Sequence, residues 1–140
     1  MVGVPVSSLA RRLGIEPGSR LGLIRAPAGF ERALEPMPEG VRVRTQARAY
    51  LDVVVFFATR RAELDRRFDT LARAVGDEGS LWIAWPKRAA CVATDLREAI
   101  VREIGTTHGL HDERLGSLDE GWSAVRFVHP ALGHTASRAS

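Results

Sequence analysis

The chain has 140 residues, 20 basic and 17 acidic side chains for a formal net charge of +3, and one cysteine, Cys91. That length suits one domain able to bury about two thirds of its unfolded surface, and a lone cysteine excludes an intramolecular disulfide or a cysteine zinc cluster. The longest apolar run, Val53 to Ala58, is too short to span a bilayer and no basic start leads into a long apolar stretch, so a soluble cytoplasmic protein without membrane contact is expected.

In chain order, Ser7 or Ser8 caps a short helix over Leu9 to Leu13, which Gly14 stops and Pro17-Gly18 turns away. Arg20 to Ile24 reads as a first strand, followed by the loop Ala26 to Phe30 and a helical turn over Glu31 to Leu34, which Pro36, Pro38 and Gly40 end. Val41 to Thr45 alternates with period two, as a strand near a sheet edge does. Leu51 to Ala58 is a continuous β-branched and aromatic run, the pattern of a central parallel strand covered on both faces.

The spacing of Leu64, Phe68, Leu71, Ala72 and Val75 predicts a helix from Ala62 to Val75, terminated by Gly76 and Gly79. Leu81 to Trp85 is a second buried strand. Asp95 to His108 is a second amphipathic helix, with Thr94 as its cap and Leu96, Ile100, Val101, Ile104 and Leu110 on its apolar side. Arg114 to Leu118 and Ser123 to His129 read as closing strands joined by Asp119 to Trp122. This order predicts a three-layer α/β fold over residues 1–130: a mostly parallel sheet with helices on both faces, ending in an antiparallel hairpin. Residues 131–140 are small and polar, as in a frayed tail.

The succession of a first strand, Leu51-Asp52-Val53-Val54-Val55, a helix, Gly79-Ser80-Leu81-Trp82-Ile83 and a final hairpin resembles the core of Rossmann-type methyltransferases, over roughly residues 20 to 129. A second resemblance covers nearly the whole chain. It rests on Leu9-Ala10-Arg11-Arg12-Leu13-Gly14-Ile15, Ala26-Pro27-Ala28-Gly29-Phe30, Arg61-Ala62-Glu63-Leu64, Trp85-Pro86-Lys87, Thr94-Asp95-Leu96 and Trp122-Ser123. These are similar to a family of small bacterial proteins known only as a domain of unknown function. That resemblance implies a compact domain and supplies no activity; the family usually shows a serine and a glycine where this chain has Ala90-Cys91.

The methyltransferase resemblance brings an expectation of S-adenosylmethionine, which needs close backbone approach after the first strand and commonly an acidic side chain after the second. Here the first loop is Arg25-Ala26-Pro27-Ala28-Gly29, with one glycine and a proline that removes a donor, and the second strand runs into Thr45-Gln46-Ala47-Arg48. No cofactor is therefore expected. A phosphate-loop motif is also absent, and the histidines lack the other members of a metal-ligand set.

Lys87 is the sole lysine beside nineteen arginines. In an open α/β sheet, residues past the carboxyl ends of strands surround the ligand crevice. Arg25, Arg60 and Lys87 hold such positions, and Arg88 follows Lys87. Trp85, Thr94, Asp95, Trp122 and Ser123 complete the candidate ligand-binding set, with Thr94 offering donors at a helix start. An anionic small molecule or a protein partner at this edge is the leading expectation, against the plainer reading that these cations only face water. An enzyme of degenerate methyltransferase-like fold and an oligomerising module, with an exposed apolar patch around Phe30, Trp85 or Trp122, are the alternatives. Arg42, Arg44 and Arg48 form a positive stripe, but nine aromatics held mostly in apolar runs give little basis for nucleic-acid binding.

Overall fold

The computed structural model describes residues 7–48 and 50–130. The predicted tail, 131–140, lies outside the described residues. Helix α1 (Ser8–Leu13) begins where the Ser7 hydroxyl accepts hydrogen bonds from the backbone N–H groups of Leu9 and Ala10, and ends at Gly14, whose φ of 83° is open to glycine without strain. After β1 (Arg20–Ile24) come the short α2 (Phe30–Ala33) and β2 (Arg42–Arg44). Then follow β3 (Leu51–Phe57), α3 (Arg61–Ala74), β4 (Val75–Pro86), α4 (Glu98–Thr107), β5 (His111–Ser117) and β6 (Trp122–Val128).

The six strands form one sheet in the order β2-β1-β3-β4-β6-β5. β1 to β4 run parallel, and β6 lies antiparallel between β4 and β5. This is the α/β, mostly parallel sheet with a closing antiparallel hairpin that the element order predicts. One face packs Val54, Phe56 and Ile83 against Leu64, Phe68 and Leu71 of α3 and Val101 and Ile104 of α4. The other packs Leu21, Leu23, Val55 and Trp82 against Leu9, Ala10 and Leu13 of α1 and Phe30 of α2. Three layers result because β3 and β4 carry apolar residues toward both faces. No helix of the described residues is long and apolar enough to cross a membrane.

Several boundaries differ from the sequence reading, among them β5, which begins at His111 rather than Arg114. Gly76 and Gly79 do not terminate α3 in a loop: Val75 is already extended, and β4 starts there, its register against β3 shifting from Leu51↔Val75 to Val53↔Ser80. The glycines admit this irregularity. A Cβ on Gly79 would stand 2.6 Å from the Asp52 carbonyl oxygen, so the two backbones approach too closely for any other residue. α4 starts at Glu98 rather than Asp95, and Thr94 does not cap it. Thr94 Oγ1 instead accepts from the Leu96 N–H and donates to the Thr59 carbonyl, while Asp95 Oδ1 accepts from the Arg61 N–H, so both side chains tie this loop to the start of α3. The second strand is also shorter than Val41 to Thr45. The Trp85–Pro86 bond is trans; Glu35–Pro36 is the cis bond among the described residues.

Candidate functional site

An open cleft of about 1030 Å³ lies past the carboxyl end of β4, where the chain leaves the sheet at Lys87. Its floor is the end of the strand itself, Trp85 and Pro86, both buried because a central strand is covered on both faces. Opposite stand Gly116 and Ser117 from the end of β5 and Ser123 from the start of β6. The antiparallel insertion of β6 explains why residues far apart in sequence meet: Trp85 pairs with Ser123, and Ser123 with Ser117. The third side is the segment Val92 to Glu98 with Ile100 of α4.

Lys87 is positioned from two directions. Its backbone N–H donates to the Gly121 carbonyl at 2.9 Å, and its Nζ donates to Ser117 Oγ at 2.6 Å. A 3₁₀ turn, Arg88–Ala90, then folds the chain back and ends at Cys91 in the left-handed region, φ 57°. Glycine takes that conformation freely, whereas a cysteine there is strained. Cys91 itself is an exposed thiol.

The charges in the cleft are unequally engaged. Of its two carboxylates, Asp95 accepts from the Arg61 N–H at 2.7 Å and Glu98 from Arg102 Nε at 2.9 Å. Among the described residues its three cations, Lys87, Arg88 and Arg97, have no carboxylate partner; Lys87 holds only the neutral hydroxyl of Ser117. No side chain caps α4, whose first turn lines the same cleft. Trp85, Val92, Leu96 and Ile100 supply an apolar wall beside these cations.

Of the nine residues expected at this site, Trp85, Lys87, Arg88, Thr94, Asp95 and Ser123 line the cleft. Arg25, Arg60 and Trp122 do not. Arg25 adopts φ 63° and pairs with Glu63 at the start of α3, so Arg25, Arg60 and Lys87 do not converge on one pocket. Arg60 is the exposed residue that precedes α3. Trp122 packs edge to face on Phe57, with ring centroids 5.0 Å apart, and Phe57 packs likewise on Phe30 at 4.8 Å. These three rings belong to the core on the α1 side of the sheet, with Phe30 and Phe57 only 5% and 2% exposed. Among the described residues the exposed apolar patch expected around Phe30, Trp85 or Trp122 is therefore not formed, and the exposed large apolar side chains are Tyr50 and Val92. Sequence reasoning missed Leu96, Arg97, Ile100 and above all Ser117, whose place is decided by the β5–β6 register alone.

Neither a protein-family model nor a curated protein sequence matches this chain. Solved structures do. Magnesium protoporphyrin IX methyltransferase from Synechocystis, with bound S-adenosylhomocysteine, superposes with a TM-score of 0.60 at 15% identity, over 89% of this chain and 80% of that one. A DhpI complex with S-adenosylhomocysteine gives 0.60 at 13% identity, over 89% and 84%. NcsB1, an O-methyltransferase from neocarzinostatin biosynthesis, gives 0.60 at 11%; this chain spans 49% of its length. At these identities the likeness establishes the fold, a methyltransferase-like Rossmann domain.

Proposed function

We propose that this protein is a cofactor-independent binding domain on a methyltransferase-like fold, holding an amphipathic anion in the cleft between Lys87 and α4. The observation that carries this reading is the asymmetry of engagement: the cleft's carboxylates are bonded to protein donors, whereas Lys87, Arg88 and Arg97 lack carboxylate partners among the described residues. A carboxylate or phosphate head belongs at these cations, where charge-assisted hydrogen bonds form. An apolar body belongs on Trp85, Val92, Leu96 and Ile100.

The neighbours with bound S-adenosylhomocysteine or S-adenosylmethionine favour a second reading, an enzyme of the same fold. The residues present do not fit that cofactor in the usual crevice. The loop after β1 carries one glycine and a proline, Phe30, Phe57 and Trp122 pack edge to face beside the ends of β1 and β3, and Arg25 is engaged by Glu63. We therefore assign no transfer step and place the ligand in the cleft beside β4.

The test is a thermal-shift and calorimetric series with 1-naphthoate, naphthyl phosphate and decanoate. The expected result is a raised melting temperature for the native protein and about tenfold or greater weakening in Lys87→Ala, the effect of losing one charge-assisted contact. Arg25→Ala, outside the cleft, should bind as the native protein does. Absence of stabilisation by all three probes, or unchanged binding by Lys87→Ala, overturns the proposal.

A further inference from the structure

A second cleft, of about 440 Å³, lies at the other side of the molecule, around Arg20, Arg42, Arg44 and Arg48, with Thr45 and Gln46. Topology creates it. Parallel strands are ordinarily joined through a helix that covers the sheet, yet among the described residues between β2 and β3, 45–48 and 50, none is helical. Ala47 of this short return packs against the core on the α3 side, and the rest leaves the β2 end of that face open.

Side-chain alternation then fills the open face with one kind of charge. Val43 turns toward the α1 side, so Arg42 and Arg44 face the α3 side. Arg20 stands directly opposite Arg42 in the parallel register, and Gly22, which carries no side chain, opposite Arg44. Strand spacings of about 4.8 Å and a rise of about 3.3 Å per residue put all three arginine positions within roughly 8 Å of one another. Arg48 approaches from the return loop.

No carboxylate lines this cleft. Asp52 engages the backbone N–H of Arg20 at 2.8 Å and, with Glu16 and Glu78, lines an adjoining hollow that Arg20 shares, so the carboxylates lie on the side away from Arg42, Arg44 and Arg48. Among the described residues, none of the four guanidinium groups has an ion-pair or hydrogen-bond partner, whereas Arg25, Arg102 and Arg126 are each paired with a carboxylate. Like charges set opposite one another across strands are destabilising. Their concentration around one concavity, without internal counter-charge, calls for an external anion of high charge density.

We propose that the cleft of Arg20, Arg42, Arg44 and Arg48 binds a compact oligophosphate, two or more linked phosphate groups gripped by the forked guanidinium donors. A concavity of about 440 Å³ is the size of a small-molecule site, which favours a small ligand over a nucleic-acid strand. Calorimetry with inorganic tripolyphosphate, orthophosphate and a short single-stranded oligonucleotide tests this. Tripolyphosphate should bind more tightly than orthophosphate and weaken with added salt. It should lose about tenfold or more in affinity in Arg42→Ala/Arg44→Ala and bind Lys87→Ala unchanged. Arg48→Gln, in the loop, provides the same readout if the strand variant fails to fold. Tripolyphosphate that does not bind, that binds the arginine variants as the native protein, or that is lost in Lys87→Ala overturns the proposal. Arginine-dependent binding of the oligonucleotide without tripolyphosphate binding overturns it in favour of a nucleic-acid surface.

Discussion

His108, at the C-terminal end of α4, is held between two carboxylates of α3. Its Nε2 lies 2.8 Å from Asp65 Oδ1 and its Nδ1 2.8 Å from Asp69 Oδ1, and its ring stacks on Phe68. Both nitrogens meet acceptors, so the doubly protonated imidazolium satisfies the site and the neutral ring leaves one contact unmade. The Asp65 hydrogen bond raises the His108 pKa above its ordinary 6.5, against the opposing effect of burial, with Asp69 adding to the rise. A pKa raised on folding gives stability that is complete below the unfolded value and lost as pH climbs through the folded one. Melting temperature should therefore fall from about pH 6 upward, and His108→Gln should flatten that dependence while costing about 1 kcal/mol at low pH. Equal pH slopes for the two proteins would remove His108 as the cause. The histidine is plain in the sequence; its partners, 43 and 39 positions away, are not.

Among the elements, α4 shows how closely a helix can be set on a sheet. Gly105 lies on its buried face, and a Cβ built there would meet the Phe127 ring at 2.1 Å. Gly105→Ala would ordinarily favour a helix by nearly 1 kcal/mol; here the overpacking should dominate and destabilise by about 1 to 3 kcal/mol, read from urea denaturation. Gly76→Ala, with nothing within 4 Å of its new Cβ, is the control and should be nearly neutral. Element types were legible because β3 and α3 carry unmixed periodicities. The beginnings of β4 and α4 were not. Gly76, Gly79, Thr94 and Asp95 have strong local preferences for loops or caps, and pairing with β3 and with the Thr59 carbonyl redirected them.

For the whole molecule, solved methyltransferases share this fold, while beside the ends of β1 and β3 Phe30, Phe57 and Trp122 pack edge to face on the α1 side of the sheet. Titration with S-adenosylhomocysteine should accordingly give no measurable heat or thermal shift in the native protein; saturable binding would overturn the cofactor-independent reading. Phe57→Ala should cost about 3 to 5 kcal/mol, as expected for an emptied aromatic site. Sequence alone determined the α/β class, the surest strands, the first helix with a serine cap at Ser7 or Ser8 and the place of Lys87 after β4, because these depend on contiguous runs and local hydrogen bonds. Tertiary structure decided which candidates meet. Ser117 comes to Lys87 through an antiparallel register, Arg20 joins Arg42 through a parallel one, and Arg25 is drawn away by Glu63. Side-chain convergence is set by strand order and crossover path, and neither is encoded in the spacing of residues along the chain.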